Sequence, residues 1–464
     1  MDADTNSIET QNVCATRPQR VTALRRFFQA QQMYESLQPI FVITYWHGLT
    51  PFWIKDDGAG NKLLKESIYG HLNTIIHVTL YVTCYVLTML NDFETVAGYF
   101  FRSGISRVGD IMQVISGLIG IMIIFITALL PKRRLQSFLR TVQHIDLMLR
   151  SVGVHILYSK ILRYCYLMIL FVFLLDSSYS LVNLTLLKSA NLNPSKPLYV
   201  VFTLQHTVIG IATAMFHGIL KIVEVRFVML NKVLKNLALQ WDNTVIKPIP
   251  KQRSLQCLDS FSMYTVVTKN PSEIIQESME IHHMICMAAS TANKYFTYQL
   301  LTIISIAFLI IVFDAYYVLE TLLGKSKRES KFKTVEFVTF FSCQMILYLI
   351  AIISIVEGSN RAIKKSENTG GIVHSLLNKA KNAEVKEKLQ QFSLQLLHLK
   401  INFTAAGLFN IDRTLYFTIS GALTTYLIIL LQFTSSNAPA QQSVPVSDNT
   451  TKLMTLLSNK TAVA

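Results

Sequence analysis

Three carboxylates stand where a chain this apolar can least support them: Asp110 at the start of one long hydrophobic run, Asp176 within a second and Asp314 within a third. An acid at the centre of a bilayer costs about 2.5–3.5 kcal/mol on insertion scales, so each is expected to face a partner, water or a ligand. Tyr179 and Tyr317 follow Asp176 and Asp314 by three residues, close to one helical turn. Gln205 and His206 sit side by side in a fourth run. Together Asp110, Asp176, Tyr179, Gln205, His206, Asp314 and Tyr317 could line a cavity rich in hydroxyls and aromatics, suited to a small polar or amphipathic molecule. The competing reading is that a helix bundle satisfies each of them internally: an Asp by Ser, Tyr or backbone groups, His206 as a neutral hydrogen-bonding residue, Asp110 among headgroups at a helix N-terminus.

A second set lies in the last apolar run. Thr425 and Gln432, seven residues apart, share one helical face. At membrane depth such polar groups are tolerated where they are buried in protein or line water. Gln432 offers an amide donor and a carbonyl acceptor that could replace part of an ion's hydration shell, while Ile429 and Phe433, at spacing four, could close a pore by dewetting. Alternatively, Tyr426 and Gln432 bond between neighbouring helices. No catalytic constellation accompanies either set: there is no Gly-rich phosphate loop, GxSxG or HExxH, and the adjacent His282 and His283 point in different directions on a helix. The six cysteines form no CxxC pair and have no His at metal-ligand spacing, so neither a metal, a cofactor nor an enzyme is expected.

The elements that must position these residues follow from composition. Of the 464 residues, 51% are hydrophobic and only 15% charged, with a mean hydropathy of +0.38, so the chain requires lipid as a solvent. The net charge of +15 does not point to nucleic acid, because the cations lie between the apolar runs. A helix needs about 20 apolar residues to cross a bilayer. Seven stretches qualify: Ser67 to Asn91, Ile111 to Leu130, Tyr164 to Leu187, Pro197 to Leu220, Tyr295 to Leu323, Phe337 to Val356 and Thr414 to Phe433. Ser36 to Ile54 is uncharged too, but Pro39, Gly48 and Pro51 interrupt it, and it reads as interfacial or packed on other helices. The polar first 33 residues carry no signal-peptide pattern.

The positive-inside rule sets the orientation. With the N-terminus in the cytosol the inside connections hold 30 Lys and Arg and the outside ones 11, although Lys325, Lys327, Arg328, Lys331 and Lys333 oppose the trend. Glycosylation sequons at Asn183, Asn449 and Asn459 would then be usable, while that at Asn402 would not. Apolar residues at spacings of three and four run through Ile222 to Leu239 and Ile372 to Leu399, so spans four to six should project below the membrane as packed helices. Asn243 to Pro271 reads as a loop, and Gly370-Gly371 as a helix break.

The last span ends Thr425-Tyr426-Leu427-Ile428-Ile429-Leu430-Leu431-Gln432-Phe433, which resembles the signature of the insect gustatory receptor family. Ala405 to Arg413, reading AAGLFNIDR, is similar to that family's approach to its last helix. The segments Leu37 to Phe41 and Gly48 to Phe52 are most similar to the branch that includes receptors linked to heat, light and nutrient sensing, with the fructose and bitter branches left open. The resemblance implies an all-α polytopic membrane protein of seven transmembrane helices, N-terminus cytosolic and C-terminus extracellular, in the plasma membrane of sensory cells. It also implies a ligand-gated cation channel assembled as a homotetramer, or with other gustatory receptors, whose four last helices line one pore and whose subunits each bind a tastant in the outer half of the bundle.

On that basis residues 1–66 form a cytosolic segment with an interfacial helix, 67–220 spans one to four of a ligand-binding bundle, and 221–294 cytosolic extensions with a loop. Residues 295–356 form spans five and six, 357–413 anchor helices, 414–433 the pore-lining span and 434–464 an extracellular tail. A G-protein-coupled receptor would predict the opposite orientation and often an outside disulfide, for which no cysteine is placed. A secondary transporter would be expected to show internal repeats.

Overall fold

The computed structural model describes residues 28–56, 58, 62–91, 104–189, 195–243, 270–323 and 333–436. Ten helices and two short hairpins follow one another along these residues: α1 (Met33–Trp46), β1 (Phe52–Asp56), β2 (Lys62–Glu66), α2 (Ile68–Asn91), α3 (Gly104–Leu129), α4 (Lys132–Ser151), α5 (Tyr158–Ser189), α6 (Lys196–Asn243), α7 (Pro271–Leu322), α8 (Thr334–Lys379), α9 (Ala383–His398), β3 (Thr404–Ala405), β4 (Phe409–Asn410) and α10 (Thr414–Ser436). Seven of them, α2, α3, α5, α6, α7, α8 and α10, are long and apolar enough to cross a membrane, matching the seven expected runs. Their burial separates centre from periphery. The apolar windows of α6 and α7 are 78% and 61% buried, against 11% for α5 and 6% for α10.

At 48, 52 and 46 residues, α6, α7 and α8 are about 70–80 Å long, more than twice the hydrocarbon thickness. They project beyond the membrane as expected, and their apolar stripes pack there against α4 and α9. The helix α4 has no counterpart in the sequence reading. Its mean polarity hides it from a hydropathy search, yet Leu135, Phe138, Leu139, Val142, Ile145 and Leu149 form a continuous buried stripe. The break expected at Gly370-Gly371 is absent. Both glycines have open space around them and the helix runs through to Lys379, restarting where the Asn382 side chain accepts from the Glu384 amide at 2.9 Å. The loop expected at 243–271 lies mostly outside the described residues, with Asn270 and Pro271 opening α7 in the arrangement that favours helix starts.

The short helix α1 packs on α5 and α6 without spanning, because 14 residues reach only about 21 Å. Gly48 ends it at φ +69°, with Thr74 Cα only 3.0 Å from where a Cβ would lie. The β1–β2 hairpin then returns the chain to α2, and Glu66 at its end bridges Lys132 and His71, the latter at 2.6 Å.

One ion pair is sealed inside the extensions. Arg226 on α6, 1% exposed, donates through Nε and Nη2 to the two carboxylate oxygens of Asp146 on α4, at 2.9 and 2.6 Å. The Tyr158 hydroxyl at the start of α5 donates to the same carboxylate at 2.8 Å, and Arg226 Nη1 to the Ile222 carbonyl at 3.1 Å. Removing one member leaves an uncompensated buried charge, so Asp146→Ala should cost about 3–5 kcal/mol. Thermal unfolding of the detergent-solubilised protein would read this as a clear drop in midpoint. Asp146→Leu combined with Arg226→Met should recover most of it, since the apolar pair strands no charge.

Candidate functional site

Some of the intramembrane polar residues meet at one cavity between α5, α6 and α8, and others lie in helix-to-helix contacts. Asp314, fully buried on α7, accepts from Gln113 Nε2 on α3 at 3.2 Å. Tyr317, one turn on, is buried in an aromatic cluster with Tyr316, Phe337 and Phe341, its ring centroid 5.1 Å from Phe341. Both take part in helix-to-helix packing among the described residues. The side chain of Asp110 lies outside the described residues, as do Asn449 and Asn459. Asn183 is buried within α5, its amide turned into the bundle rather than to the surface.

The remaining residues meet between α5, α6 and α8. His206 stacks at 4.6 Å from the Tyr179 ring on one side and 5.3 Å from Tyr348 on the other. Gln205 donates to the Tyr348 hydroxyl at 3.1 Å, with Gly117 of α3 lying against its carbonyl. Tyr348, 2% exposed, is the centre of this group and carried no sequence signal, since one tyrosine in an apolar run is ordinary. Beside the group a cavity of about 60 Å³ is lined by Asp176, His206, Thr213 and Tyr348 together with apolar side chains of the same three helices. Asp176 also has Thr207 next to it.

His206 Nδ1 faces the Phe202 carbonyl at 2.7 Å and must therefore carry the proton, leaving Nε2 as an acceptor. That Nε2 and the Thr213 hydroxyl are buried with no hydrogen-bond partner among the described residues. A carboxylate, an imidazole acceptor and a hydroxyl thus meet in a pocket large enough for water or one polar group of a ligand. At about 300–1,000 Å³ for an ordinary ligand site, a whole tastant would need the helices to part.

The last helix presents a different arrangement. Thr414, Thr418, Gly421, Thr425 and Gln432 are all exposed, and at 100° per residue they fall on one stripe. Ile429, 39% exposed, lies beside that stripe. Tyr426 and Phe433 are exposed on the adjoining face, Tyr426 with its ring 6.0 Å from Phe308 of α7. Phe433 therefore flanks the Gln432 face, about a quarter turn away.

The segment before α10 is a clamp. The β3–β4 hairpin turns through Ala406 and Gly407, both at positive φ. Two residues of α7 hold it: Asn293 accepts from the Thr404 amide at 3.1 Å, and Thr297 accepts from the Ala406 amide at 2.7 Å. Asp412 then caps α10 by accepting from the Thr414 amide at 2.8 Å, and Arg413 reaches Glu357 of α8 through two bonds of 3.0 Å. This fills in what the AAGLFNIDR run does.

A model of the 7tm chemosensory receptor family matches residues 37–437. The chain is 64% identical over 437 residues to gustatory receptor 28b of Drosophila melanogaster, covering 94% of this chain and 92% of that one. It is 35% identical over 424 residues to gustatory receptor 28a of the same fly, covering 88% and 93%. Among solved structures, the insect olfactory receptor OR5 from Machilis hrabei superposes with a TM-score of 0.55 at 13% identity, over 86% of this chain and 97% of that one, so the two share a fold. The same receptor solved in complex with eugenol gives a TM-score of 0.52 at 12% identity, over 86% and 98%.

The clamp is open to direct measurement. Each of its hydrogen bonds is worth about 1 kcal/mol, so Asn293→Ala or Thr297→Val should speed amide exchange of the Thr404 and Ala406 segment about fivefold while leaving α7 protected. Exchange read by mass spectrometry over residues 401–411 would show unchanged rates if the hairpin were held by other contacts.

Proposed function

From the premise that this chain belongs to the insect gustatory receptors of the 7tm chemosensory receptor family, we propose that it is a ligand-gated, non-selective cation channel of the plasma membrane, assembled as a homotetramer or with other gustatory receptors. The observation that carries the reading is the last helix. A span with 6% of its apolar window buried shows a polar stripe of Thr414, Thr418, Thr425 and Gln432 on its outside. Lipid is a poor solvent for that face and a water-filled axis shared by four copies is a good one. Gln432 then rings the pore, Ile429 supplies the apolar constriction, and Phe433 and Tyr426 pack towards neighbouring helices.

The ligand is a small molecule with a polar group placed against Asp176, His206 and Thr213. The eugenol complex of the structurally similar olfactory receptor supports a small-molecule site in this fold. A ligand that fits the parted helices better than the closed ones shifts the equilibrium by that difference in affinity. In this reading the N-terminus is cytosolic and the tail at 434–464, with its sequons at Asn449 and Asn459, extracellular. The extensions at 221–294 and 357–413 anchor the subunits to one another.

Three outcomes follow. An epitope tag after Ala464 should stain on unpermeabilised cells; staining only after permeabilisation would invert the topology and exclude the channel reading. Asp176→Asn, at constant size, should shift the agonist response to about tenfold higher concentrations with surface expression unchanged, the cost of one hydrogen bond to a charged group. Gln432→Glu should raise cation over anion selectivity, read as a shifted reversal potential, because four acids at the pore mouth attract the permeating ion. An unshifted reversal potential in a receptor shown to reach the surface would take Gln432 out of the pore.

A further inference from the structure

A second cavity, of about 700 Å³, lies at the opposite end of the bundle from the outer aromatic cluster, between α1, the β1–β2 hairpin and the first turns of α5. Its lining is mixed: Gln29, Glu35, Gln38, His47 and Lys62 are polar and Val42, Ile43, Trp46 and Ile169 apolar, with Glu35 and Gln38 preceding Val42, Ile43 and Trp46 along α1. Glu35 and Lys62 form an ion pair of 3.2 Å, each about a quarter exposed. The second carboxylate oxygen of Glu35 accepts from the amides of Gln31 and Gln32 at 2.7 and 3.3 Å, which fixes the acid at the start of α1. Burial works against ionisation of Glu35, but those amides and the Lys62 ammonium outweigh it and hold its carboxyl below the ordinary glutamate range. An ammonium has three donors and Glu35 engages Lys62 through one contact, so Lys62, which lines the cavity, keeps donor capacity for a ligand there.

The position of this cavity along the bundle is that of a membrane interface. Its α5 wall runs from Leu162 past Tyr166 to Ile169, the stretch where Lys160 and Arg163 give way to unbroken apolar sequence. Trp46, 65% exposed at the apolar end, is the residue type that settles at headgroup level. A water-soluble tastant would make no use of an apolar wall that opens towards lipid, and Glu35 beside Lys62 disfavours a net anionic headgroup while offering a carboxylate to the cation of a zwitterionic one whose phosphate takes Lys62.

We propose that this cavity binds one zwitterionic phospholipid from the leaflet that borders the helical extensions, its phosphate on Lys62 and the Gln29 and Gln38 amides and its first acyl carbons along Val42, Trp46 and Ile169. The site lies on α1 and α5, apart from the Asp176 pocket and from α10, so it stands independently of the channel reading. Bound there, the lipid ties α1 and the hairpin to the span that carries Asp176.

The test is native mass spectrometry of the full-length receptor released from nanodiscs of defined composition. Wild type should retain about one phosphatidylcholine per chain and hold phosphatidylglycerol about tenfold more weakly. Val42→Trp, which fills the cavity and leaves the ion pair, and Lys62→Leu, which removes the phosphate donor, should each lose most of that retention with an unfolding midpoint close to wild type. Equal retention in wild type and both variants would overturn the site, as would phosphatidylglycerol held as tightly as phosphatidylcholine. In a lipid-free detergent arm, inorganic phosphate at millimolar concentration should give no protection of the α1 amides from exchange; protection equal to that given by the lipid would make this a phosphate site and overturn the proposal.

Discussion

The fold depends on a charge pair it could not leave half made. Asp146 and Arg226 are sealed beneath the spans, 5% and 1% exposed, and every strong donor of the guanidinium that the pair uses finds an oxygen. An arginine can do this where a lysine could not, because its planar fork meets both carboxylate oxygens at once. The pair brings three elements to one point: α4, which follows the second span, the start of α5 just after it, and the middle of α6, 80 residues on. An apolar substitute of the same volume could be as stable. What the pair adds is register, since only one rotation of α4 against α6 satisfies it.

Above that fixed point several buried polar groups have no partner among the described residues. His206 Nε2 and Thr213 Oγ1 are buried without partners at the edge of the 60 Å³ cavity, a state that costs about 1–3 kcal/mol for each group. The same two long helices that wall the upper bundle run on, without interruption, into the clamp below. On α7, Asp314 lies in the upper bundle and Asn293 and Thr297 grip the hairpin; on α8, Tyr348 touches the Gln205–His206 pair and Glu357 holds Arg413. Tyr348 and Glu357 are about 14 Å apart along one helix. Separation of α5 from α8 at the cavity therefore moves a helix that is bonded to the base of α10.

How much of this was legible in the chain differs by kind of interaction. The seven spans were, because a bilayer imposes a length and a polarity that a sliding reading detects. The projecting extensions were, from apolar residues at spacings of three and four. The helix α4 was not, since its charged face cancels its apolar stripe in any average, and Asp146–Arg226 was not, because the partners are 80 residues apart and each looks like a surface charge alone. Asp176 and Asp314 stand out by their cost in lipid; Asp176 shares a cavity with His206, while Asp314 accepts from Gln113 and Tyr317 packs in an aromatic cluster. Cost identifies that a polar group must be answered, and cannot say whether protein or ligand answers it. Tyr348 shows the converse: an inexpensive residue became central because three helices meet at its ring.

The last helix shows what a single chain leaves unfinished. The helix α5 exposes the apolar side chains of Leu167, Leu170, Phe171, Phe173 and Leu174, whereas α10 exposes Phe417, Ile428 and Phe433 together with a polar stripe. On α10 the Thr418 and Thr425 hydroxyls bond back to the carbonyls of Thr414 and Gly421, the usual way a hydroxyl is accommodated in an apolar helix, but the Gln432 amide has two donors and an acceptor with no such local solution. Gly421, in open space on the same stripe, contributes no side chain at all and so leaves room at the centre of that face. In the tetramer proposed above, a closed ring of such faces would answer both features at once: the amides would meet water instead of lipid, and the glycine level would be the wide part of the passage. Each copy would then supply to the next the polar surroundings that its own bundle does not provide.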